Sequence, residues 1–422
     1  MAWRTLTAVL RPHDRGVGAV DLSLVRAISA AGAIVAVVLV SACNLGVPNP
    51  IVGPAPQRVS ERFIPEPPGY RLETWIANLE APWSLVFLPD GRALVSERPG
   101  RIRLIRDGKL ADAPYASFEV ASGAEENLLG SFLSVFASGE GGLLGLAVHP
   151  DFSRSPYIYA MQTYKGPAGV RNRIIRLRDE GDRGRFDRVI FDGLPGFTFH
   201  DGGRIGFGPD GMLYVATGET FKPELAQDLS SPAGKILRLT PDGGVPADNP
   251  FPGSPIYSYG HRNPQGLAWE PQSGALFASE HGPTGEFGLS AHDEINVIRA
   301  GGNYGWPRVV GAPGRAGFVD PILVWTAQAV PPAGLAFCKG DLFVATLGSG
   351  LVRIELTKDK GGFAVAGIEH WFARGLDDAV LGRLRDVVAG PDGALYILTS
   401  NRDGRGDPRA GDDHIYRLVP VP

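Results

Sequence analysis

Apolar and polar residues alternate along most of this chain in short bursts, and one burst recurs. From Tyr70 onward a small apolar run meets a Pro-Asp-Gly-like turn, an alternating strand follows, and a further strand ends in Arg-Leu or a close variant. The copies read LVFLPDGRALVSE with RIRLI, LAVHPDFSRSPYIYAMQ with RIIRL, IGFGPDGMLYVATGE with KILRL, LAWEPQSGALFASEH with EINVI, LAFCKGDLFVATLG with LVRIEL, and VVAGPDGALYILTS with HIYRL. Their turns fall at Asp90, Asp151, Asp210, Gln272, Lys339 and Asp392, a repeat of about 60 residues. In Leu395-Tyr396-Ile397-Leu398-Thr399 strand formers dominate, and successive side chains face opposite sides of a sheet. The preceding Pro391-Asp392-Gly393 supplies a fixed φ, a side chain that bonds its own backbone, and a residue free to take positive φ. One such sheet cannot bury both faces alone. Six in a closed ring can, so the pattern predicts an all-β, six-bladed β-propeller of four-stranded antiparallel blades over residues 69–422.

Composition agrees with this picture and adds a leader. The 57 glycines and 36 prolines among 422 residues suit many short strands joined by turns. Arg4, Arg11, Arg15 and Arg26 precede the apolar stretch AISAAGAIVAVVLV, which is shorter than the about 20 residues a membrane span needs. Val40-Ser41-Ala42 then leads into Cys43, so residues 1–43 are expected to be a signal peptide with a lipoprotein cleavage box. On that reading the mature chain is exported and lipid-anchored through Cys43 at the cell surface or the periplasmic face of a membrane. Residues 44–68 are proline-rich and are expected to form an extended tether. Loss of the leader removes four arginines and two aspartates and takes the net charge from −4 to −6. No basic surface points to nucleic acid. Cys338 is the one cysteine beyond the anchor, so packing must supply the stability.

Propeller sites are built from loops of several blades, so the informative polar residues lie at strand ends. His200 opens His-Asp-Gly-Gly-Arg before the third repeat, where an imidazole is a natural general base and the two glycines admit a ligand to the backbone. Gly260-His-Arg-Asn-Pro-Gln-Gly266 opens the fourth repeat. There Arg262 offers a carboxylate-binding fork and Asn263 both a donor and an acceptor. Glu280-His281-Gly282-Pro283 and Asp293-Glu294-Ile295-Asn296 are oxygen-rich and suited to Ca²⁺. Arg383 and Arg385 project on one side of a strand and repel unless they share an anion.

Together GGLLGLAVHPDF, HDGG with GPDG and YVATGE, YGHRNPQGLAW, DEINVIRAGGNYGWP and GRLRDV resemble the soluble pyrroloquinoline-quinone (PQQ)-dependent sugar dehydrogenases, the glucose/sorbosone dehydrogenase family. The resemblance runs from Tyr70 to the C-terminus and carries a six-bladed fold with it. It implies that Arg262, Asn263, Arg383 and Arg385 hold the quinone, and that the carbonyls of Gly282 and Pro283 bind Ca²⁺. It also implies that His200 takes the proton from the sugar C1 hydroxyl with Glu219 behind it, and that Glu140 faces substrate or cofactor. The implied activity is oxidation of an aldose to a lactone, with electrons passed to an external acceptor. One departure stands out. Gly348 and Ser349 occupy the place where glucose-oxidising members carry a lysine, which leaves Lys339 or Arg353 to compensate. A non-catalytic sugar- or protein-binding propeller without PQQ and a Ca²⁺-dependent lactonase are the alternatives.

Overall fold

The computed structural model describes residues 48–122, 139–167, 169–359 and 362–421. The export segment and Cys43 lie outside them. Six blade sheets form among the described residues, and in five of them the strands that follow one another in the chain pair antiparallel. Their innermost strands are Pro82–Phe87, Leu143–Val148, Ile205–Phe207, Pro264–Trp269, Pro332–Cys338 and Leu384–Ala389, which define blades one to six. Each innermost strand packs on the next, and the sixth packs on the first, so the ring closes. One apolar cluster fills each of the six gaps between neighbouring blades. The expected fold is present, and its core lies between the blades because each sheet has two apolar faces to cover.

The repeat has a structural purpose at its turns. In blades one, three and six the turn aspartate accepts from a backbone N–H two residues on: Asp90 from Arg92, Asp210 from Met212, and Asp392 from Ala394. Its second oxygen then takes an arginine at 2.9 Å, from Arg92, Arg238 and Arg417 respectively. The Arg-Leu endings of the third and sixth repeats are therefore clamps on their own turns, not ligand groups. His149 is structural as well, wedged among Tyr157, Tyr159 and Phe207.

Two features were not legible in the repeat. The outer strand of blade six, Tyr70–Ile76, comes from the start of the domain and pairs antiparallel with Ile415–Pro420, so the two ends of the propeller close the ring. From Ile51 to Ile64 the proline-rich stretch is bound to the propeller. Ile51–Val52 pairs parallel with Val309–Val310, and Glu61–Ile64 adds a fifth, parallel strand to blade five along Ile368–Trp371. Between them the Gln57 amide donates to the Val324 carbonyl at 2.7 Å and accepts from its N–H at 3.1 Å. Short runs free of proline keep the N–H groups such pairing needs.

Antiparallel order also fixes where a site can form. The links between blades and the second-to-third-strand loops all emerge at one end of the ring, and the first-to-second-strand turns at the other. Closure by the terminal strands makes a prediction. Ile76 and Ile415 face each other across that junction, 5% and 0% exposed. Ile76→Ala and Ile415→Ala should each lower stability by about 2–4 kcal/mol in denaturant unfolding, and Val421→Ala, 42% exposed, should not.

Candidate active site at the propeller mouth

His200 sits in the link into blade three and is held from four sides. Its backbone takes a positive φ of 63°, and the next positive-φ residues along the chain that are not glycine, Thr220 and Phe221, flank it. Strain of this kind persists where surrounding contacts over-determine the backbone. Phe221 stacks on the imidazole at 4.4 Å between ring centroids. Nδ1 is hydrogen-bonded to Glu219, which lies in the second-to-third-strand loop of the same blade. Nε2 faces Arg262 Nη2 at 3.0 Å, and the His200 N–H donates to Glu140 at 3.0 Å. A guanidinium only donates. Nε2 therefore carries the lone pair and Nδ1 the proton, which it gives to Glu219.

Gly202 and Gly203 follow. Their role is packing, not ligand access: both have positive φ, and a Cβ on Gly202 would meet the Ala216 carbonyl at 2.5 Å.

Arg262 is 2% exposed and bonds Glu286 through Nε at 3.0 Å and Nη2 at 2.6 Å, with Trp306 beside it at 5.6 Å. Burial works against ionisation of Glu286, but Arg262 and His200 hold its pKa down to about 2. Glu286 was not legible in the sequence; it sits in a single 3₁₀ turn, Glu286–Gly288, with nothing around it to mark a role.

Asn263 accepts through Oδ1 from Gly202 N–H and from Gln265 Nε2, both at 3.0 Å. Gln265 in turn accepts from Arg385 Nη1 at 3.2 Å, joining blades four and six. Arg383 and Arg385 do share an anion, and it is Asp403. Asp403 lies 2.9 Å from Arg383 Nε and 3.7 Å from Arg385 Nη2. Asp386, the other conceivable partner, pairs with Arg204 at 3.0 Å instead. Burial lowers the pKa of Arg385 to about 9 against the pull of Asp403.

The remaining expected groups are placed as follows. Glu140 takes the His200 N–H on one oxygen and Arg405 at 3.1 Å on the other. The carboxylates of the oxygen-rich loops are engaged within the protein. Glu280 bonds His261 at 2.8 Å and the Arg262 N–H, and Asp293 takes the N–H groups of Gly282 and Val330 at 2.9 and 2.8 Å. In blade five, Ser349 donates to Leu376 O at 2.7 Å. Lys339 lies in a first-to-second-strand turn at the far end of the ring, beside Tyr70, and Arg353 is taken by Asp341 and Glu369. Neither supplies a cation to the mouth.

The donor set fits a quinone bearing carboxylates. Asn263 Nδ2 and Arg385 Nε are buried donors without a partner among the described residues, and Gln265 bridges their side chains. Buried unpaired donors are costly unless a ligand oxygen meets them. Among the described residues no three His, Cys, Asp or Glu side chains gather into a metal cage. A cation here would rest on the hard carbonyl oxygens of Gly282 and Pro283 and on oxygens of the ligand, a set that suits Ca²⁺.

Asp201 offers a pH test of this region. It accepts from Asn172 Nδ2 at 2.9 Å and Phe197 N–H at 3.0 Å, its other oxygen has no partner among the described residues, and burial raises its pKa to about 7. The stability it contributes is complete below its unfolded pKa and is lost as pH rises through about 7. Asp201→Asn should therefore be more stable than wild type at pH 8 and lose that advantage at pH 5, read from thermal unfolding.

Comparison with known proteins agrees with the fold and with the family that the motifs resemble. Residues 79–416 match the family model for glucose/sorbosone dehydrogenase. An aldose sugar dehydrogenase of Escherichia coli is 36% identical over 351 residues, covering 78% of this chain and 89% of its own. The PQQ-bound structure of an aldose sugar dehydrogenase from Streptomyces coelicolor superposes with a TM-score of 0.69 at 40% identity, over 84% of this chain and 99% of its own. A Thermus thermophilus structure assigned as an oxidoreductase, glucose dehydrogenase, reaches 0.74 at 51% identity over 83% of this chain and 100% of its own. By fold, by motif and by extent of match, the chain belongs to the glucose/sorbosone dehydrogenase family.

Proposed function

We propose that the chain oxidises an aldose at C1 to a lactone, using PQQ and Ca²⁺, with His200 as general base. The observation that carries this reading is the fixed tautomer of His200, with Glu219 on Nδ1 and the lone pair on Nε2, where Arg262 donates. The substrate hydroxyl replaces the Arg262 N–H at Nε2, one donor for another, and Arg262 keeps its Glu286 bonds. Nε2 then takes the C1 hydroxyl proton, and the imidazolium so formed is stabilised by the Glu219 carboxylate. Phe221 and the strained backbone keep the ring from turning away. Asn263, Arg262, Arg383 and Arg385 would hold the quinone, and the Gly282 and Pro283 carbonyls the cation. The chemistry these groups supply when bound is a hydride acceptor polarised by a Lewis acid.

An external carrier would receive the electrons. Export and a lipid anchor at Cys43 belong to the same proposal and rest on the leader sequence alone.

Purified protein supplied with PQQ and Ca²⁺ should show dye-linked oxidation of aldoses. His200→Ala should lower kcat by about 10²–10⁴-fold with the quinone still bound. Undiminished turnover in that variant would refute the mechanism.

A further inference from the structure

Each blade brings to the mouth the residues just past its second strand. Blade three places Glu219 there, blade four His281, Gly282 and Pro283, blade five Gly348 and Ser349, and blade six Asn401 to Asp403. The blade-one residue is Arg98, which follows the strand Ala93–Glu97. Its Nη2 donates to the Gly139 carbonyl, and its Nε is buried with no partner among the described residues. Burial pushes its pKa down, against the pull of Asp403 and Glu140.

Arg98 lines a cavity of about 310 Å³ together with Glu80, Gly141, Arg402 and Asp403. That volume is at the small end of the range for ligand sites. Gly141 follows Glu140, whose carboxylate holds the His200 N–H, so one wall of the cavity is joined along the chain to the support of His200. Its two carboxylates are engaged elsewhere: Glu80 with Arg101 at 2.6 Å, and Asp403 with Arg383 at 2.9 Å. Arg98 and Arg402 supply the positive charge of its lining.

We propose that this cavity is a carboxylate subsite, and that the chain selects acidic aldoses of the hexuronate class through Arg98, with Arg402 in support. The proposal rests on the sugar-oxidation reading. A planar guanidinium with an unpaired Nε matches a carboxylate better than a neutral hydroxymethyl group.

The test is calorimetric titration of quinone-free protein with sodium D-glucuronate and with D-glucose, followed by kcat/KM for both sugars in the PQQ- and Ca²⁺-loaded enzyme. Wild type should bind glucuronate at least ten-fold more tightly than glucose. Arg98→Met should remove that preference in both measurements, Arg98→Lys should restore part of it, and Arg402→Met, at an exposed position, should weaken it if Arg98→Met fails to fold. Equal binding of the two sugars by wild type overturns the proposal. So does a loss of PQQ affinity in Arg98→Met with the sugar preference intact, which would assign the carboxylate to the cofactor. Selective glucuronate binding without turnover of either sugar would instead sink the oxidation reading and leave the subsite standing.

Discussion

A buried guanidinium has only protons to give, and Arg262 gives its protons to Glu286, to the His281 carbonyl and to Nε2 of His200. That asymmetry fixes the chemistry of the mouth. With Arg262 on one side and Glu219 on the other, the imidazole has one arrangement of its proton that leaves no clash of donors. Glu286 must then remain ionised to balance the buried cation, and Arg262 beside it keeps it so. Removing Glu286 would leave the Arg262 charge uncompensated in a site shielded from water, where the cost is largest.

The propeller makes this line of groups possible. Antiparallel blades deliver two kinds of loop to one end of the ring, and His200, Glu219, Arg262, Glu286, Arg385 and Asp403 all stand in or beside such loops. Polar residues from blades two, three, four and six thus meet without any one strand having to carry a run of buried charge. Blade five contributes a small, internally bonded turn at Ser349, and the positive charge absent there is not replaced from Lys339 or Arg353. The arginines that do reach the mouth lie on blades one, four and six.

The fold was largely legible because its rule is local. A Pro-Asp-Gly turn and an alternating strand fix the blade, and six copies in register demand closure. The strand that closes the ring was not legible, since Tyr70–Ile76 belongs to blade six by pairing and not by sequence order. The same limit applied to the site. His200, Arg262 and Asn263 announce themselves as polar clusters beside glycine and proline, and Arg383 with Arg385 by their spacing. Glu286 and Asp403 do not, because a carboxylate in a polar loop is ordinary until the arginine that needs it is placed. Glu140 was legible as a polar group, but only the folded chain shows that its carboxylate holds the His200 backbone. The leader and Cys43 remain a reading of sequence.

The central claim is that the protein fixes the protonation pattern of one histidine. Nitrogen-15 NMR of protein labelled at its histidines, with His200 assigned by comparison with His200→Ala, reads that pattern directly. Near neutral pH in quinone-free protein the His200 Nδ1 should carry hydrogen and Nε2 should not. Hydrogen on Nε2, alone or together with Nδ1, would contradict it.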